Sequence, residues 1–127
     1  MIGASEMRKV LVVEHSPAMR GLIGSLLEEL EDMKAMEVDN GLEALPILAQ
    51  ENFDLIITDM NMPNLNGLEL ISFIRNNNNH SETPILVLSS EAAGQDRDNA
   101  LVLGANAYLI KPFVNSELVE TVKGLLG

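Results

Sequence analysis

Phe53-Asp54-Leu55-Ile56-Ile57-Thr58-Asp59-Met60-Asn61-Met62-Pro63-Asn64-Leu65-Asn66-Gly67 is the stretch that decides how this chain folds. Residues 53–58 form a largely apolar run, as a strand covered on both faces requires. A loop containing Pro63 and Gly67 then ends it. Asp59 stands at the exit. A carboxylate kept at the end of a buried strand is costly for structure alone, but it is well placed to meet a ligand.

Outward from this strand, apolar periodicity alternates between strand-like and helix-like. Val10-Leu11-Val12-Val13 reads as a first buried strand. Ser16-Pro17 is a helix start, because Ser caps free N–H groups and Pro suits the first helical position. Met19, Leu22, Ile23, Leu26, Leu27 and Leu30 then share one helical face. Residues 33–38 read as a more polar edge strand. A helix over 42–50 carries Leu42, Leu45 and Leu48, with Pro46 predicting a bend or a late start. A further helix covers 66–76, and Asn76 to His80 reads as a solvated connector. Pro84 introduces the strand Ile85-Leu86-Val87-Leu88. A helix over 95–103 stops at Gly104. Residues 107–110 form the fifth strand, and Asn115-Ser116-Glu117 opens a last helix with Leu118, Val122, Leu125 and Leu126 inward.

Five strand–helix units imply an α/β fold with a parallel sheet covered on both faces. Right-handed crossovers favour a doubly wound, flavodoxin-like sheet of order 2-1-3-4-5, with ligands at the carboxyl ends of the strands. The 127 residues, 46% hydrophobic, suit one domain over 8–127 behind a flexible leader, 1–7. The first residues lack a signal-peptide pattern. Cys is absent, which excludes disulfides and thiol chemistry and fits a cytoplasmic setting. No apolar run approaches the roughly 20 residues that span a bilayer, so no membrane partner is expected. A net charge of −11 argues against direct nucleic-acid binding.

Four strands end in polar groups: Glu14-His15, Asp59 with Asn61 beyond it, Ser89-Ser90, and Lys111. In a parallel sheet these tips converge. Together they suit phosphoryl chemistry. A carboxylate can attack phosphorus, a divalent cation held by carboxylates and a carbonyl can neutralise the incoming charge, and a Lys and a hydroxyl can bind the remaining oxygens.

With these motifs the chain resembles the CheY-like receiver domain of two-component response regulators, from Lys9 to Leu126. The resemblance rests on Leu11-Val12-Val13-Glu14-His15-Ser16-Pro17, Asp59-Met60-Asn61-Met62-Pro63 with Gly67, Pro84 to Ala92, and Gly104 to Phe113, which includes Lys111-Pro112-Phe113. It implies that Asp59 accepts phosphate from a sensor histidine kinase or phosphotransfer protein. It implies that Ser89 and Lys111 bind the phosphoryl group, and that the Asn61 carbonyl joins Glu14 and Asp59 around Mg²⁺. Tyr108 would be the switch residue, reshaping the surface of helix four, strand five and helix five for a downstream protein. The Lys111-Pro112 bond would be cis. The domain would be a phosphoacceptor with slow self-dephosphorylation rather than a turnover enzyme, as a monomer or a phosphorylation-dependent dimer, with no output domain of its own.

One residue departs from the family pattern. His15 stands where a carboxylate usually binds Mg²⁺ directly, and Mg²⁺ is poorly served by imidazole. The leading expectation is weakened Mg²⁺ binding, with Mn²⁺ as a substitute and phosphorylation of Asp59 retained. The alternative is a degenerate receiver that binds protein without phosphorylation. A third reading puts Zn²⁺ or Ni²⁺ on His15. Two rivals on related sheets fit less well: an aspartyl phosphatase lacks its Asp-x-Asp and cap here, and a flavin module lacks its phosphate loop.

Overall fold

The computed structural model describes residues 7–90 and 94–127. The expected leader, apart from Met7, lies outside the described residues, as do Glu91 and Ala92 of the fourth-strand motif. The elements run β1 (Arg8–Val13), α1 (Pro17–Glu28), β2 (Met33–Val38), α2 (Gly41–Gln50), β3 (Leu55–Asp59), α3 (Gly67–Asn76), a 3-10 turn (Asn78–His80), β4 (Ile85–Ser89), α4 (Gly94–Leu103), β5 (Ala107–Ile110) and α5 (Asn115–Leu126). All strand pairs are parallel, in the order β2-β1-β3-β4-β5. This is the doubly wound, flavodoxin-like sheet that the alternation predicts.

Alternation along each strand divides the core into two layers, since successive side chains point to opposite faces. Leu11, Val13, Ile56 and Val87 pack with Leu48, Leu70, Ile71, Ile74 and Ala100, beneath α2, α3 and α4. Val10, Val12, Leu55, Ile57, Leu86 and Leu88 pack with Ile23, Leu27, Leu118 and Val122, beneath α1 and α5. The three central strands are therefore sealed on both sides.

Local chemistry sets where the helices begin. Ser16 Oγ accepts from the Met19 N–H at 3.3 Å and Pro17 opens α1. Asn66 and Glu69 bond each other's backbone N–H at 2.9 and 3.0 Å, a capping box at the start of α3. Val114 precedes α5 with no acceptor on its side chain, and Glu117 takes its N–H at 3.1 Å instead.

Several local expectations are corrected. The third strand begins at Leu55, not Phe53, because the Asp54 carboxylate turns to accept the Lys9 N–H at 2.8 Å. Helix α2 starts on time despite Pro46, with Asn40 Oδ1 accepting the Glu43 N–H at 2.9 Å. Leu22 and Leu42 lie at the margins of their helical faces and are exposed rather than core residues. The connector after α3 is not fully solvated. It folds into the 3-10 turn and buries His80 completely.

Gly67 lets α3 start directly behind the end of β3. Its N–H donates to the Met60 carbonyl at 2.8 Å. A Cβ at this position would lie 2.9 Å from both the Asp59 carbonyl oxygen and the Met60 Cα. Both neighbours are backbone and cannot swing aside. Gly67→Ala is therefore expected to destabilise the domain by about 1–3 kcal/mol, read as a lower urea midpoint with an unchanged slope.

Candidate functional site

The site is built from strand ends. Val13 pairs with Thr58, Asp59 with Leu88 and Ser89 with Ile110, so neighbouring tips stop almost level. Ladder bonds continue one residue further. Glu14 N–H donates to the Val38 carbonyl at 3.1 Å, Met60 N–H to Leu88 at 2.8 Å, and Lys111 N–H to Ser89 at 2.8 Å. These bonds fix the backbone beneath each polar side chain. The Lys111–Pro112 peptide is cis, as the resemblance implies.

Glu14 is 1% exposed and Asp59 7%. Lys111 Nζ reaches both: it donates to Glu14 Oε1 at 2.5 Å and lies 3.3 Å from Asp59 Oδ1. Burial, and then the hydrogen bond and charge of Glu14, push the Asp59 carboxyl up to about 6, while Lys111 pulls the other way. The Asn61 N–H donates to Asp59 Oδ1 at 3.4 Å. The Ser16 N–H donates to Glu14 Oε2 at 3.3 Å. Ser89 is buried at the tip of β4. Tyr108 lies opposite Val87 in β5 and is half-buried against the α2–α4 core layer.

His15 does not join this group. Its ring turns outward, with Nδ1 3.1 Å from Asp39 Oδ1. Arg20 Nη1 donates to the Glu14 carbonyl at 2.8 Å and to Asp39 Oδ1 at 3.4 Å. Arg20 and Asp39 are site-margin residues that sequence reasoning missed. A signal existed for Asp39, which directly follows β2 as Glu14 follows β1. Arg20 could be found only from its place one turn into α1.

The comparisons agree with this geometry. Residues 10–123 match the model of the response regulator receiver domain. The chain belongs to this receiver family. It is 36% identical to chemotaxis protein CheY-3 of Vibrio cholerae over 88% of this chain and 86% of that protein. It is 35% identical to chemotaxis protein CheY of Pseudomonas aeruginosa over 91% of this chain and 93% of the relative. Among solved structures, CheY4 of Vibrio cholerae aligns with a TM-score of 0.88 at 32% identity, covering 94% of this chain and 99% of the other. A receiver domain of a Pseudomonas aeruginosa sensor histidine kinase, with a magnesium ion coordinated in its active site cleft, aligns at 0.87 and 30% identity over 95% and 98%.

Within this receiver domain, the expected phosphoacceptor switch on Asp59 is overturned. Among the described residues, no group of three or more His, Cys, Asp or Glu side chains could hold a metal ion. The reason is local. Mg²⁺ requires about six oxygens in near-octahedral array. Here His15 supplies no oxygen and faces away, and the Lys111 ammonium already engages both remaining acids. Without a dication, an incoming phosphoryl group would meet two carboxylates neutralised by a single ammonium. The residues present are a poor fit for Mg²⁺, and a softer metal on His15 would find Asp39 beside it but no third His, Cys, Asp or Glu ligand among the described residues.

Asp59 gives a pH prediction. In the folded chain it keeps its proton up to about pH 6, against an ordinary value of 3.8. Between these values the folded state binds the extra proton, so stability from this group falls as pH rises through the window. Asp59→Asn is expected to stabilise the domain by about 1–3 kcal/mol near pH 7. The gain should vanish below about pH 4. Chemical denaturation at a series of pH values measures it.

Proposed function

We propose that this chain is a degenerate receiver, a phosphorylation-independent module of two-component signalling that works by binding protein. The observation that carries this reading is the Lys111 bridge to Glu14 and Asp59 in a site with no metal-holding cluster among the described residues. Part of the positive charge that a dication would bring to these two acids is supplied by Lys111 itself. Family membership supports a histidine kinase or phosphotransfer protein as the partner class.

The surface supports a protein partner. Leu101, Val102 and Leu103 near the end of α4, Ile110 in β5 and Val114 before α5 are all exposed, Val102 by 85%. These side chains offer a protein partner apolar surface to cover. Among the described residues no helix is long and apolar enough to cross a membrane. Ser89, Tyr108 and Asn61 serve here to pack and position the site, in a surface that phosphorylation does not switch.

Intact mass after acetyl phosphate treatment, with Mg²⁺, with Mn²⁺ and without metal, tests the reading. The unmodified mass is expected throughout. An adduct that disappears in Asp59→Asn would overturn it. A second experiment addresses the cause. Millimolar Mg²⁺ should leave the thermal midpoint of this chain unchanged, whereas His15→Asp should gain Mg²⁺-dependent stabilisation. An equal response in both would remove His15 from the explanation.

A further inference from the structure

His80 lies at the amino-terminal edge of the sheet, opposite the site above, just before β4. Its side chain is fully buried, and neither ring nitrogen has a hydrogen-bond partner in the protein. One neighbour is the Phe53 ring, with centroids 6.2 Å apart. An unpaired buried imidazole is unfavourable even when neutral, and a protonated one far more so.

The backbone around His80 is tied to the rest of the fold by one side chain. Arg75 Nη1 donates to the His80 carbonyl at 3.0 Å and to the Thr83 carbonyl at 2.7 Å. Its Nε and Nη2 donate to the Gly104 carbonyl at 3.1 and 2.8 Å, and Nη2 also reaches Asn106 Oδ1 at 2.9 Å. Asn106 Oδ1 in turn accepts the Ile85 N–H at 2.8 Å. Gly104 has φ +123° and a Cβ there would meet the Arg75 side chain, so the corner between α4 and β5 is shaped around this guanidinium. Arg75 thus clasps the turn after α3 to that corner.

We infer that the segment from Asn77 to Thr83 is an acid-operated latch: when the His80 ring takes a proton it leaves its apolar seat, and the His80 and Thr83 carbonyls leave Arg75 with it. The charged groups around the seat give a proton no compensation. Arg75, on α3, is a cation. Glu82 acts electrostatically on Arg75. Lys9, from β1, stands 5.2 Å from the Phe53 centroid and is held at 2.7 Å by Glu51 at the end of α2. Asp54 is engaged with the Lys9 N–H. Burial lowers the His80 pKa from its ordinary 6.5. The expelled ring therefore binds a proton at higher pH than the seated one, and the latch is strongest above about pH 6.5 and weakens as pH falls through it. The consequence for the domain is a proton-dependent loosening of the end of α4, independent of phosphorylation.

Amide hydrogen exchange followed by NMR on the whole chain, from about pH 7.5 to about 5.5, tests the latch. After correction for intrinsic rates, protection at the His80, Thr83 and Asn106 N–H groups should fall by about tenfold per pH unit below the histidine range. Val12 and Ile56 should hold. His80→Phe, which fills the seat without a titrating group, should flatten the pH dependence. If that variant does not fold, the ring-proton titration of His80 in the wild-type chain decides. A ring pKa at or above the free value, or protection lost evenly over all elements, overturns the latch. Asp59 titrates in the same window with the opposite sign, so the series is repeated in Asp59→Asn, where the local loss should persist.

Discussion

A single ammonium group stands between two buried carboxylates at the carboxyl edge of the sheet, and the character of the domain follows from that contact. Lys111 comes from the end of β5, Glu14 from the end of β1 and Asp59 from the end of β3. The chain brings them together only because the strand order is 2-1-3-4-5 and every strand runs the same way. Two buried acids of like charge are held close at a cost, visible in the raised Asp59 pKa. The lysine offsets part of that cost.

This arrangement separates family from chemistry. Sheet order, the strand-end Asp and the cis Lys111–Pro112 bond are those of a receiver. The metal cluster on which phosphoryl transfer depends is missing among the described residues. Replacing a carboxylate by His15 removes an oxygen ligand and a negative charge in one step. The imidazole then meets at the surface the Asp39 carboxylate that Arg20 also bonds, and stays largely exposed.

The two edges of the sheet are built on opposite principles. At the carboxyl edge, buried charges face one another and most of their hydrogen bonds are met. At the amino edge, Arg75 satisfies a group of carbonyls while His80, beside them, is left with no polar partner in the protein. An apolar residue at His80 would fill the same volume without a desolvation penalty. A titrating group in this position is what makes the edge responsive to acid.

Strand and helix positions were legible in the sequence because each has its own apolar period, and Ser16-Pro17 and Gly104 punctuate them chemically. The grouping of Glu14, Asp59 and Lys111 was legible too, since parallel strands send their ends to one side. The exact start of β3, the burial of His80 and the role of Arg75 were not. Each depends on contacts between residues distant along the chain: Asp54 with Lys9, His80 with Phe53, Arg75 with Gly104. The same limit applied to the chemistry of the site. Residue types alone allowed a weakened Mg²⁺ site, whereas three-dimensional packing set the direction of the His15 ring and gave Lys111 both carboxylates. Periodicity is a local property that a sequence carries in full; the partner a charged side chain selects depends on distance and burial, and these exist only once the chain has folded.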